Sequence, residues 1–294
     1  MLLSVAALAG CATTDADPVP APAPTPGKAF SFTAAQYEAH IKALRTRFKK
    51  LGLSDLSVRV EDPFVVIGNG TPARLERDSG TVRWAADKLE QDFFAKRPAK
   101  ILDIYLFADA KSYEHGVATL HGEAPDTPYG FYSPGDGALY MNIATGGGTL
   151  VHEIVHPYVQ ADFPSAPPWL NEGLGSLFEQ SAERDGHIVG LTNWRLAGLH
   201  DAISADAVPS FKKLTGLDSA GFYGKGSGTH YAQARYLLYY MQEKGLLRDF
   251  YRAFRAARTK DPTGFATLAA ALGEKDMAAF QARWEVYVAK LRFP

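Results

Sequence analysis

Cysteine is almost missing from this chain: Cys11 is the only one in 294 residues. A single thiol can neither close an internal disulfide nor build a cysteine zinc site, so any metal must be held by histidines and carboxylates. Net charge is nearly missing too. The 31 Lys and Arg against 32 Asp and Glu leave a formal charge of −1. No bulk field draws the chain to nucleic acid or to an anionic membrane, and neither a basic stripe nor a phosphate-cradling Gly-rich loop is present. The sequence has no internal repeat. What remains is an ordinary globular composition, 46% hydrophobic and 21% charged, with enough length for one large domain or two modest ones.

The lone cysteine has a context. Residues 1–10 are apolar and small, and Leu8-Ala9-Gly10-Cys11 resembles a bacterial lipobox, although no Lys or Arg precedes the apolar run. The stretch is too short to span a bilayer. The resemblance implies a lipoprotein signal over residues 1–11, a lipid on Cys11, and an extracytoplasmic protein anchored to the periplasmic face of a membrane. Residues 12–29 are rich in Pro and Ala and form an extended linker rather than a core.

The folded part is expected from residue 30 onward. Residues 33–51 read as a helix with Thr33 as N-cap and Gly52 as stop. Residues 56–67 have strand character, with Pro63 splitting them or placing part at an edge. A helix over 71–94, a strand over 101–107 and a short helix over 108–116 follow. Residues 129–143 read as a hairpin turning at Ser133-Pro134-Gly135-Asp136-Gly137. From Gly148 onward helices dominate: through Val159, then 171–183, 230–244, 247–257 and 276–291. These elements predict an α+β fold, with a small mixed sheet and the motif helix in a subdomain over 30–165 and a helical subdomain over 166–294. A cleft lies between them.

His152-Glu153-Ile154-Val155-His156 sits on the helix that follows Gly146-Gly147-Gly148. Residues i and i+4 share a helix face, so both imidazoles can reach one Zn2+ at about 2.0–2.1 Å. Glu153 lies beside them, placed to take a proton from water, whose pKa zinc lowers to about 7. A catalytic zinc needs a third protein ligand and an open position. Glu172, sixteen residues after His156 in Pro168-Trp169-Leu170-Asn171-Glu172-Gly173, is the best candidate. A solvated carboxylate in a helix's first turn is the plainer reading of Glu172 alone.

Together, the HExxH pentad and Pro168-Trp169-Leu170-Asn171-Glu172-Gly173 resemble the gluzincin metallopeptidases, closest to the peptidase MA-like bacterial families. The resemblance covers about residues 100–245 and takes in Tyr231-Ala232-Gln233-Ala234. It implies a zincin-like fold, His152, His156 and Glu172 as zinc ligands, Glu153 as general base, and residues 138–143 as a sheet edge that pairs with a peptide. It also implies an oxyanion donor in the helical half. Tyr231 fits best, with His230 and Tyr236 as alternatives.

Glu179 is either a partner of a ligating imidazole or an exposed carboxylate, and Asn171 either a neighbour of the metal or a helix cap. His40, His115, His121, His187 and His200 lack ligand spacing. Tyr236, Tyr239 and Tyr240 have core spacing. Residues 129–140, 162–166 and 202–228 are expected around the substrate, the last as a lid. The expectation is therefore a monomeric zinc metallopeptidase acting on peptide or protein, without nucleic acid. A zinc-binding module that grips a partner or cell-envelope component without catalysis is the alternative. Hydrolysis of a non-peptide amide is a third reading.

Overall fold

The computed structural model describes residues 31–293 except Ser54, so the lipobox-like segment and the Pro/Ala tract lie outside the described residues. Helix α1 (Ala34–Leu51) begins where its cap predicts: the Gln36 backbone N–H donates to the Thr33 hydroxyl, and the Gln36 side chain accepts from the Thr33 N–H. Gly52 ends it at φ 71°, a left-handed conformation that glycine adopts without steric cost. Residues 56–67 are split at Pro63, one of the two expected outcomes. β1 (Ser57–Glu61) and β2 (Phe64–Gly68) pair antiparallel about Asp62-Pro63. Then come α2 (Pro72–Asp92), β3 (Leu102–Phe107), α3 (Ala110–Leu120), and the hairpin of β4 (Gly130–Ser133) and β5 (Ala138–Asn142). Helix α3 runs four residues past its expected end.

The five strands lie in the order β1-β2-β3-β5-β4. β2, β3 and β5 are parallel neighbours, while β1 and β4 run antiparallel at the two edges. Alternation along the strands separates two cores. Phe64, Val66, Ile104, Leu106, Leu139 and Met141 join the larger core, whereas Val65, Ile67, Tyr105, Phe107 and Tyr140 join the smaller one with α1 and α3 residues. Each Val, Leu, Ile or Phe buried in this way stabilises the fold by roughly 1.5–3 kcal/mol before entropy is counted. One expectation is corrected here. β5 is an interior strand, flanked on both sides, and the free edge belongs to β4.

A 3₁₀ turn (Ile143–Thr145) leads into α4 (Gly147–Asp162), and α5 (Pro168–Phe178) packs against it. The helix expected over 171–183 starts earlier and stops at Phe178. A small hairpin of β6 (Ser181–Arg184) and β7 (His187–Gly190) replaces its last turn. Among the described residues seven helices follow it: α6 (Arg195–Ser204), α7 (Phe211–Thr215), α8 (Ser219–Tyr223), α9 (Ser227–Glu243), α10 (Leu247–Ala257), α11 (Phe265–Leu272) and α12 (Met277–Val288). Residues 202–228, expected as a long loop, are largely structured. Two short helices occupy them, and Phe211, Leu214 and Phe222 are buried in the larger core. The fold is α+β, with a small mixed sheet and a mainly helical second half. The larger core runs from Phe64 to Val288 without a break between the halves.

A candidate metal centre between two helices

Helix α4 carries His152, Glu153 and His156, and all three are buried or nearly so. Each brings one possible ligand atom, and these atoms lie within 4.8 Å of one another. The group can hold a metal ion. Helix α5 presents Glu172 to the same point. Its Oε2 is 3.2 Å from His152 Nε2 and 3.9 Å from His156 Nε2. A tetrahedral ion with bonds of about 2.0–2.1 Å separates its ligands by about 3.4 Å, so these spacings suit one ion. Glu153 Oε2 lies 3.8 Å from His156 Nε2. Two carboxylates thus approach the imidazoles, one from each helix.

The two helices approach closely because their contact residues are small. A Cβ on Gly175 would lie 2.9 Å from the His152 ring, and one on Gly148 would lie 2.2 Å from the Glu179 carbonyl oxygen. Both are shorter than any real Cβ contact, so glycine is required at these two positions.

The imidazoles are oriented from behind. His152 Nδ1 is 3.0 Å from Glu179 Oε1, and His156 Nδ1 is 3.1 Å from Asn171 Oδ1. Both partners are acceptors, so each Nδ1–H can donate to them and each Nε2 is turned to the cluster, where an ion would displace the proton that His152 Nε2 shares with Glu172 Oε2. Glu179 is held in turn: Arg195 donates from Nη2 to Oε1 at 2.6 Å and from Nε to Oε2 at 2.8 Å, and Asn193 Nδ2 donates at 3.0 Å. So Glu179 braces a histidine, Asn171 faces the cluster, and the N-cap of α5 is Pro167 rather than Asn171.

The electrostatics favour a cation. Burial opposes charge on His152, but hydrogen bonds to Glu172 and Glu179 outweigh it and raise its pKa to about 10. Burial also opposes charge on Glu179, yet Arg195 and His152 lower it to about 2. Glu172 is held well below the usual carboxylate range, because the two histidines and a hydrogen bond from Tyr223 outweigh its burial. Glu153 moves the other way: burial pushes it up, against the pull of both histidines. Its carboxylate also accepts from the Tyr132 backbone N–H on β4. A buried site with this many carboxylates is stabilised by a bound positive charge.

Two tyrosines close the cluster on the side of α8 and α9. The Tyr223 hydroxyl donates to Glu172 Oε1 at 2.7 Å. This residue was missed in the sequence, where nothing relates it to the motif by spacing. Tyr231 lines the same cleft. Its phenol, like that of Tyr223, is pushed far up by burial and by the Glu172 charge. The alternatives to Tyr231 lie elsewhere. His230 Nδ1 bonds the Phe222 carbonyl at 2.9 Å, and Tyr236 is fully buried with its hydroxyl on the Asn193 backbone. Tyr239 and Tyr240 pack against the larger core. His40, His121 and His187 each pair with an aspartate, His200 bonds the Val288 carbonyl, and His115 is exposed. None joins the cluster.

The cleft has a volume of about 1200 Å³. Residues from all three segments expected around a substrate line it, including Tyr132, Phe163 and Tyr223. So do Thr145 to Thr149, Trp194 and Arg195, which were not expected.

Fold and site define an α+β protein with a buried histidine–carboxylate cluster, open to a cleft, that can hold a metal ion. The family described as "Protein of unknown function (DUF1570)" matches residues 143–264, a stretch that contains the whole cluster, Arg195 and both tyrosines. Among curated proteins nothing matches the chain.

Proposed function

We propose that the chain is a zinc-dependent metallopeptidase of the gluzincin type. The observation that carries this reading is the convergence of His152 Nε2, His156 Nε2 and Glu172 Oε2, with both Nδ1 atoms committed to acceptors behind them. These three residues would hold Zn2+. Bound there, zinc lowers the pKa of water to about 7 and polarises a carbonyl oxygen. Glu172 is the better ligand of the two carboxylates, because Tyr223 occupies its Oε1 and Oε2 faces both imidazoles. Glu153 is left free to act as general base.

The residues divide the work as follows. Glu153 takes the proton of the attacking water and later passes it to the leaving amine. Burial raises its affinity for that proton. Tyr231, neutral at pH 7, donates a hydrogen bond to the oxyanion that forms on the carbonyl. Glu179, fixed by Arg195, keeps the His152 ring in place. The cleft admits the chain to be cut. On this reading Leu8 to Cys11 supplies export and a lipid anchor, which labelling with a fatty acid would detect and Cys11→Ser would abolish.

The test pairs two measurements on purified protein. One zinc per chain is expected by metal analysis, and Glu153→Gln should keep that zinc while losing peptide hydrolysis by at least about 10³-fold. Absence of stoichiometric zinc, or full activity in the variant, would sink the proposal.

A further inference from the structure

The lining of the cleft separates into two chemistries. Its charged side chains are Glu153, Glu172, Glu179 and Arg195, and all four belong to the cluster or brace it. Beyond them the described lining carries no Lys, Arg, Asp or Glu. A charged substrate side chain would lose water there and find no partner.

What the wall offers instead is aromatic. Among the described residues six large hydrophobic side chains are exposed, and three of them, Tyr129, Trp194 and Tyr223, line this one cleft. Such concentration at a concave site marks binding surface, whereas scattered exposed side chains do not. Trp194 is 62% exposed, yet its position is constrained. The Arg195 guanidinium lies 4.3 Å from the Trp194 ring centre and 4.9 Å from that of Tyr231, while its nitrogens are fixed on Glu179. An aromatic ring held open to solvent by a largely covered ion pair is ready for a partner.

A third feature chooses between a peptide and a sugar. Among the described residues no strand other than β5 pairs with β4, and Gly130, Phe131 and Tyr132 of this edge strand line the cleft. A backbone hydrogen bond from Tyr132 to Glu153 sets this edge beside the cluster. A strand edge pairs with the main chain of an extended peptide. A glycan stacks on rings but has no such main chain.

We propose that the cleft takes an extended, uncharged polypeptide segment bearing large apolar or aromatic side chains, which Trp194 and Tyr129 grip. The identity of the ligand as a peptide rests on the peptidase reading, and its selectivity on the wall.

The experiment uses the full chain carrying Glu153→Gln, loaded with zinc, and dye-labelled decapeptides read by fluorescence anisotropy. One peptide has Leu and Phe at its central positions, a second has Lys there, and a third has Glu. The apolar peptide should bind at least about tenfold more tightly than either charged one. Adding Trp194→Ala or Tyr129→Ala should each weaken it by about five- to tenfold, with zinc content unchanged. Both side chains are exposed, so neither change threatens folding. Equal binding of the three peptides, no effect of either alanine, or tighter binding of a neutral aminosugar oligomer would overturn the proposal. The peptidase reading has its own failure: an apolar peptide that binds but stays uncut by the zinc-loaded wild type would end that reading and leave the selectivity standing.

Discussion

Tyr223 and Tyr231 face the same carboxylate but are assigned different work, and single atoms can separate them. The Tyr223 hydroxyl donates to the Glu172 oxygen turned away from the imidazoles. Removing it leaves that oxygen only the longer bond from Asn171 Nδ2, at 3.5 Å, and so loosens Glu172. Tyr223→Phe should therefore weaken zinc binding by about 10–100-fold, as loss of such a supporting hydrogen bond does, measured by competition with a chromogenic chelator. Tyr231→Phe should keep zinc affinity and lower kcat by about 10²–10³-fold, the loss expected for one oxyanion donor. The opposite pattern would exchange the two roles. The sequence carries His152, Glu153, His156 and Glu172 openly, because helical spacing and one short connection bring them together. It does not carry Tyr223. That residue reaches Glu172 from a five-residue helix 51 positions away, and only the packing of α8 on α5 makes them neighbours. Glu179 is intermediate: its position was legible, but its bond to His152 depends on where α5 ends.

Among the elements, α4 and α5 make the site and glycine lets them meet. Gly175→Ala would drive a methyl group into the His152 ring, at 2.9 Å in the present geometry. The ring must move, so the variant should lose most of its bound zinc while its far-UV circular dichroism stays unchanged; normal zinc content would refute the packing argument. A second element prediction concerns α1, far from the cluster. His40 Nε2 lies 2.7 Å from Asp103 Oδ1 on β3. That hydrogen bond raises the His40 pKa, against burial, which lowers it. A raised folded pKa gives stability that is complete below the unfolded value of about 6.5 and is lost as pH rises through the folded value. The stability gap between wild type and His40→Gln, from urea unfolding, should be largest near pH 6, shrink toward pH 9, and stay within about 1 kcal/mol because the pair is partly exposed. A gap that grows with pH would contradict it. The elements were legible where local chemistry sets their ends, as with Thr33 and Gly52 on α1. They were missed where tertiary contacts do. β6 is polar and half-exposed, so it reads as the tail of α5. Yet Asp185 and Gly186, at φ 53° and 80°, form the two-residue turn that an Asp-Gly pair favours, a signal the sequence does carry.

For the whole molecule the question is how much of the fold depends on a metal. In a small zinc domain the ion supplies the folding energy, and chelators unfold it. Here the ligand helices already belong to a core that the ion does not build. Ile154, Val155, Tyr158, Leu170 and Leu174 are fully buried in the same cluster as Phe250 and Trp284. Asp162 at the end of α4 is tied to Arg255 and Tyr251 of α10. The metal-free protein should therefore keep its secondary structure at 25 °C. On the zinc reading proposed above, an ion that binds only the folded state would add stability, by about 4 kcal/mol when free zinc exceeds its Kd by about a thousandfold. For a chain of this size that corresponds to a rise in Tm on the order of 10 °C. Stripping zinc with a chelator should lower Tm by that amount and leave a single cooperative transition. Glu172→Gln, which removes the proposed ligand on α5 but keeps its shape, should begin near the chelated Tm and respond little to zinc. Collapse of the helical signal on chelation would mean that the core between α4, α5 and α10 cannot stand without the ion, and an unchanged Tm would mean that no ion bridges the two helices.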